Sequence, residues 1–348
     1  MGRWSGRIIA VFVSAGLVAL AACMGPSLAP APGGGAAAPG AAEPAGRPGA
    51  PPAELDRPPL RVAYVTPSAV MAPLWMAKES GAFERAGVAV EVRHIQANAA
   101  VAALLAGEID LVQISGPPVL SAVLQGGADL VFIAGALNRM IFSVHTPPEI
   151  RTPQDLKGRL FGSDRPGTPV AFGTEVALAK LGLQPTDVQI LHVGSSDQLL
   201  AALLSGQLAA AVLSPPANFT AEEAGFPKLI DLYDVPYQNI GIAARRARLP
   251  ALEPVLVPFL QAYREGIERY YADKALALQV IEQYSRESNP EVLEKTYEFY
   301  RAAGFNRQLN VSEEGIASIL GFLSATVPAA RTADPSQFFE PRYVQQLP

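Results

Sequence analysis

From Leu60 onward, short apolar runs alternate with amphipathic stretches, which predicts strands followed by helices. Leu60 to Val65 reads as a strand that ends at Thr66-Pro67-Ser68. A helical pattern through Leu74, Trp75, Ala77 and Phe83 follows and stops at Gly87. Val88 to Ile95 is a second strand, and a helix from an Asn98 cap to Ala106 closes at Gly107. Ile109 to Ile114 is a third strand, Pro118 to Gln125 a helix, and Leu130 to Ala134 a fourth strand. The pattern then restarts. Pro153 to Gly158 is a short helical turn and Arg159 to Gly162 a strand. A helix opened by Asp164-Arg165-Pro166-Gly167-Thr168 runs to Leu181 and stops at Gly182. Val188 to Val193, Ala209 to Leu213 and Lys228 to Tyr233 are strands, with a helix from Asp197 to Ser205. Beyond Gln238 the pattern predicts long helices over 253–271, 273–285, 290–302 and 312–325. Strands alternating with helices imply parallel pairing in doubly wound α/β sheets.

Two passages are near-copies. Ala102 to Pro117 reads AALLAGEIDLVQISGP, and Ala201 to Pro216 reads AALLSGQLAAAVLSPP. Each is a helix end, a glycine stop, a buried strand and a Ser-Pro turn. A period near 100 residues is too long for a solenoid. It fits one α/β lobe built twice, with Ser115 and Ser214 on matching floors of a cleft. The copies diverge after the glycine, where Glu108 and Asp110 stand against Gln207 and Ala209.

Composition narrows the function. At 348 residues the chain is long enough for two lobes with a large core. Its 27 Lys and Arg against 32 Asp and Glu give a formal charge of −5, with no basic patch for nucleic acid. The single cysteine excludes a disulfide framework and a Cys-rich metal site. Arg3 and Arg7 precede an apolar run from Ile8 to Leu20, which fits a secretory signal better than a membrane span. Leu20-Ala21-Ala22-Cys23 resembles the bacterial lipobox, so residues 1–23 read as a lipoprotein signal with Cys23 as the lipidated residue. Residues 24–59 are almost all Ala, Pro and Gly, the composition of a disordered tether. The expected protein is a monomer held to a membrane by its lipid. It faces the periplasm or the cell surface.

One stretch of the folded part resembles a known signature. Ala72-Pro73-Leu74-Trp75-Met76-Ala77-Lys78-Glu79-Ser80-Gly81-Ala82-Phe83, followed by Gly87-Val88-Ala89-Val90, is similar to the helix, Gly-x-Phe turn and strand entry of the NMT1/THI5-like (SsuA-like) solute-binding proteins. Leu105 to Asp110 and Thr152 to Gly158 resemble two further steps of that family, and the likeness covers about residues 60 to 285. The resemblance implies a bilobal fold of the type II periplasmic binding protein kind, two doubly wound sheets joined by a two-segment hinge. It also implies a small-molecule ligand and ABC permease subunits as partners. Lobe 1 would take residues 60–146 and 241–348, and lobe 2 residues 147–240. The crossings then fall near Val144-His145-Thr146-Pro147 and Tyr237-Gln238-Asn239-Ile240-Gly241.

In open α/β sheets ligands bind beyond the carboxyl ends of strands. That rule selects Thr66, Pro67, Ser68, Ser115, Gly116 and Asn138 in lobe 1, with Trp75 as an aromatic wall. In lobe 2 it selects Arg165, Gly167, Thr168 and Ser214, and the hinge adds Tyr237 and Asn239. The expected ligand is a small organic anion or heteroaromatic molecule. No G-x-S-x-G, H-E-x-x-H, Walker or G-x-G-x-x-G motif is present, so neither catalytic residues nor cofactor are expected. His94, His145 and His192 are far apart in sequence and read as structural. A thiamine-pyrimidine-precursor enzyme and a ligand-sensing lipoprotein are the alternatives on this fold. The cysteine-rich motif of the former is not matched here.

Overall fold

The computed structural model describes residues 58–348. Cys23 and residues 24–57 of the tether lie outside the described residues. The chain begins with β1 (Leu60–Tyr64), α1 (Ala72–Glu79), α2 (Ala82–Arg85), β2 (Val90–His94), α3 (Ala97–Ala106), β3 (Leu111–Ile114), α4 (Gly116–Gly126) and β4 (Leu130–Arg139). It continues with β5 (Ser143–His145), β6 (Leu160–Ser163), α5 (Pro169–Lys180), β7 (Gln189–His192), α6 (Ser196–Leu204), β8 (Ala210–Leu213), α7 (Ala217–Glu223) and β9 (Lys228–Asp231). The last part is β10 (Pro236–Arg245), then α8 (Leu249–Ala272), α9 (Lys274–Ser285), α10 (Pro290–Ala303) and α11 (Glu313–Leu323).

The strands form two sheets of matching order, β2-β1-β3-β10-β4 and β7-β6-β8-β5-β9. Both are mixed, which corrects the expectation of parallel pairing. β10 runs antiparallel between β3 and β4, and β5 antiparallel between β8 and β9. Each of these two strands enters its sheet from the other half of the molecule, so it arrives in the opposite direction. The chain crosses between Arg139 and Ser143 and returns between Asp231 and Pro236, a few residues ahead of the positions read from sequence. The two crossings lie side by side: Met140 N–H donates to Val235 O at 3.0 Å, and Leu232 N–H to Phe142 O at 3.0 Å.

The sequence near-copies land on equivalent elements. A shift of 99 residues carries the whole of β3 onto β8, and their glycine stops Gly107 and Gly206 both have positive φ, 76° and 77°. Only glycine takes that conformation without strain, which is why both helices stop there. Both strands are apolar apart from Gln113 and are buried along their length. The acidic divergence after Gly107 is architectural. Arg61 on β1 grips Asp110 through Nε and Nη2 at 2.9 and 2.8 Å, pinning the β1–β3 register.

Other differences have local causes. α3 starts at Ala97 after Gln96, so Asn98 lies inside the helix and caps nothing. Tyr237 to Gly241, read as a hinge segment, belongs to the ten-residue β10. Gln238 and Asn239 interrupt its apolar run, yet both are buried and satisfied. Gln238 accepts from Ser312 N–H and donates to Ile240 O, and Asn239 donates to Arg139 O, all at 3.0 Å.

His145 sits in β5, fully buried, with Nδ1 3.1 Å from Phe226 O and Nε2 2.9 Å from Ser143 Oγ. The carbonyl can only accept, so Nδ1 carries the proton and Nε2 accepts from the hydroxyl. Burial pushes the imidazole down to about 4 from 6.5, the Phe226 contact opposing and Lys228 adding to the fall. The unfolded chain therefore gains a proton near pH 6.5 that the folded chain refuses until about pH 4. Stability is level above pH 6.5 and falls by on the order of 3 kcal/mol as pH drops through that window. Urea unfolding at pH 7.5 and 4.5 should show a smaller acid loss in His145→Asn than in the parent. Equal losses would remove His145 as the cause.

Candidate functional site

The carboxyl ends of β1 and β8 lead into segments where the two halves touch. Ser68, just after β1, donates its hydroxyl to Pro215 O, just after β8, at 3.1 Å. Above that contact α7 of the second half packs against α10 of the first. Phe219 meets Phe299 edge-on with centroids 5.9 Å apart, and Tyr233 meets Phe299 at 5.0 Å. At the rim, Glu223 accepts from Asn289 Nδ2 at 3.1 Å and pairs with Lys295 at 3.2 Å. α10 begins here because Asn289 caps Glu291 N–H at 2.9 Å and Pro290 takes the first helical position.

Polar atoms without partners gather on these two helices. Asn218 on α7 is fully buried, and neither its Nδ2 nor its Oδ1 has a hydrogen-bond partner among the described residues. Thr296 Oγ1 and Tyr300 OH on α10 are in the same condition, four residues apart on one helix face. A helical threonine ordinarily bonds back to a carbonyl of the preceding turn, and Thr296 does not. Tyr300 lies beside Ser68, and burial holds its phenol well above the ordinary range, the Ser68 hydroxyl opposing, so it stays a donor at neutral pH. Burial likewise raises Tyr233, with Ser143 opposing. A buried polar group with no partner costs about 1–3 kcal/mol. Three residues carry that cost on the two helices that join the halves.

The sequence-selected residues divide into groups. Thr66 and Ser68 are half-buried at the junction, and Pro67 is exposed. Ser214 lies 3.3 Å from Ser196 Oγ at the start of α6. Ser115 is buried at the start of α4 and makes no side-chain cap there. Trp75 is fully buried, stacked on Tyr284 at 4.7 Å and edge-on to Tyr64 at 5.4 Å; only its Nε1–H is unpartnered. Its ring faces are therefore committed to packing. Thr168 caps α5 by accepting from Ala171 N–H at 3.2 Å, and Gly167 beside it has φ 85° with open space around it. Arg165 points outward, with 76% of its side chain exposed.

Four positions are drawn into the scaffold. A Cβ on Gly116 would stand 2.3 Å from Ile319 of α11, so this glycine permits helix packing. Asn138 donates to Asn310 O at 2.8 Å, and Asn239 is the partner of Arg139 O. Tyr237 is fully buried against Phe172, ring centroids 5.2 Å apart, and its hydroxyl has no partner among the described residues.

Sequence reasoning missed Asn218, Thr296 and Tyr300. For Asn218 a signal existed. Under the 99-residue shift it stands where the first copy has the buried Val119, an amide replacing a core methyl pair. Thr296 and Tyr300 read as ordinary core positions of an amphipathic helix.

Two other features do not compete. The Ser143–His145 contact is sealed in the second sheet with no route for a substrate. A depression of about 580 Å³ lined by Leu160, Gln189, Ala209 and Phe226 faces the opposite, amino-terminal edge of that sheet. Among the described residues, no group of three or more His, Cys, Asp or Glu is placed to hold a metal ion. Also among them, no helix is long and apolar enough to cross a membrane.

The sequence model of the family described as "NMT1/THI5 like" matches residues 68–292, more than half of the chain. None of the curated proteins compared matches significantly. Among solved structures, the periplasmic aliphatic sulphonate binding protein SsuA from Escherichia coli superposes with a TM-score of 0.67 at 18% identity, covering 81% of this chain and 92% of that one. A protein from Bordetella bronchiseptica RB50 gives 0.67 at 23% identity, covering 82% and 96%. The periplasmic nitrate-binding protein NrtA from Synechocystis PCC 6803 gives 0.63 at 13% identity, covering 82% and 87%. The chain shares the periplasmic binding protein fold of these structures.

Proposed function

Because this chain belongs to the NMT1/THI5-like family, we propose that it is the solute-binding subunit of an ABC importer, closing two lobes on a small organic molecule. The observation that carries this reading is the set of partnerless buried groups on α7 and α10, one helix from each lobe. A ligand there supplies the missing hydrogen bonds, and closure brings both helices to it. The paired crossings, 140–142 and 232–235, act as the hinge. Ser68, Asn218, Thr296 and Tyr300 contact the ligand, with Thr66, Ser115, Thr168 and Ser214 around them. The likeness in fold to the SsuA and NrtA proteins supports a transport role, with permease subunits as the docking partner. The mechanism is binding and release, and no bond is made or broken.

Native mass spectrometry of the protein purified from its own host should find a bound small molecule that leaves on denaturation. A protein that carries none, and that no solute in a broad thermal-shift screen stabilises, rejects the reading. We place the mature chain at the outer face of a membrane, as a monomer held through a lipid on Cys23. Cys23→Ala should move it from the membrane to the soluble fraction. Membrane retention of that variant counts against the anchor.

A further inference from the structure

We infer that the molecule held between α7 and α10 is uncharged and presents an edge that both donates and accepts hydrogen bonds, as a carboxamide, lactam or sulfonamide does. The inference rests on the solute-binding reading above and adds the chemical class. Asn218 offers both halves of an amide, a donor and an acceptor, fully buried and unpartnered. An amide edge on the ligand satisfies both at once, and the hydroxyls of Thr296 and Tyr300 complete a neutral polar set. Tyr233 and Phe299 border the same seam with aromatic faces, which suit a flat ligand.

A buried cation to hold an anion is missing. Among the described residues no Lys or Arg is buried. Lys295, the cation at the rim, is already engaged by Glu223 at 3.2 Å and Glu291 at 3.0 Å. Arg165 points away. Backbone N–H groups at helix starts are the usual substitute for a cation, and prolines thin them at four of the helix starts. α1 has Pro73, α4 has Pro117 and Pro118, α5 has Pro169, and α7 follows Pro215-Pro216. Two of the remaining amides are spent, Ala171 N–H on Thr168 Oγ1 and Asn218 N–H on Ser214 O. An anion moved into this seam would give up its water for a few neutral donors, with no buried positive charge to balance its own.

Near-isosteric pairs that differ in charge test the idea: benzamide against benzoate, benzenesulfonamide against benzenesulfonate, and nicotinamide against nicotinate. Affinities are measured by calorimetry at pH 7.5 in low and physiological salt. The expected result is that the uncharged member binds at least tenfold tighter in any pair that binds, with no salt dependence. Asn218→Ala should weaken it a further tenfold or more. Tighter binding of the charged members overturns the neutral class and leaves the solute-binding reading standing. A silent panel also overturns the class as stated, and the molecule that co-purifies from the host then decides the solute-binding reading alone.

Discussion

An Asn218→Leu protein unfolds at a higher temperature than the parent and gains nothing from the ligand that co-purifies with the parent. Leucine keeps the branching of asparagine and removes two buried polar atoms that have no partners. Deleting an unpaired buried amide relieves a desolvation cost of about 1–3 kcal/mol, so the ligand-free protein becomes more stable. The same change removes the one amide proposed to meet the ligand, with its separate donor and acceptor atoms. Stability and binding thus move in opposite directions, as they do where a site is held ready at the expense of the fold. Calorimetric melting with and without the ligand reads both effects. A variant that melts lower, or still responds to ligand, would place the amide outside the site.

Gly266→Val produces the largest loss of stability expected from one substitution in the scaffold. On α8, a Cβ at this position would stand 2.5 Å from Pro73 O, 2.6 Å from Ala77 N and 2.8 Å from Ala77 Cβ, so the two helices are in backbone contact. Backbone cannot rotate aside as a side chain can, so α1 and α8 must separate. Overpacking of this kind costs about 3 kcal/mol. Trp75, fully buried on α1, moves with it, and Ser68 lies a few residues ahead, so ligand binding falls as well. Gly321→Ala on α11 is the control, since nothing lies within 4 Å of a Cβ there and alanine favours a helix by about 1 kcal/mol. Urea unfolding should move the two variants in opposite directions. Equal midpoints for Gly266→Val and the parent would show that the helices have room to part.

Much of this fold was legible along the chain. The copies at Ala102 and Ala201 overlie each other element for element, because a helix stop in glycine and a short buried strand are set by neighbouring residues. Ser68, Ser115 and Ser214 were reached by the strand-end rule, which depends on chain order alone. β5 was not legible, since Ser143-Val144-His145 is too short for a period and takes its place from β8 and β9. β10 was read as a connection because Gln238 and Asn239 look exposed until Ser312 and Arg139 supply their partners. Asn98 illustrates the opposite error, a good capping residue that the helix start simply passes by.

Local pattern settled most of the elements and the duplication, since these depend on hydrophobic period, glycine stops and chain order. The helices that carry Asn218, Thr296 and Tyr300 came together only when α7 from one half met α10 from the other. Whether a buried polar atom has a partner is a property of residues distant in sequence, and no window along the chain contains both sides of that question.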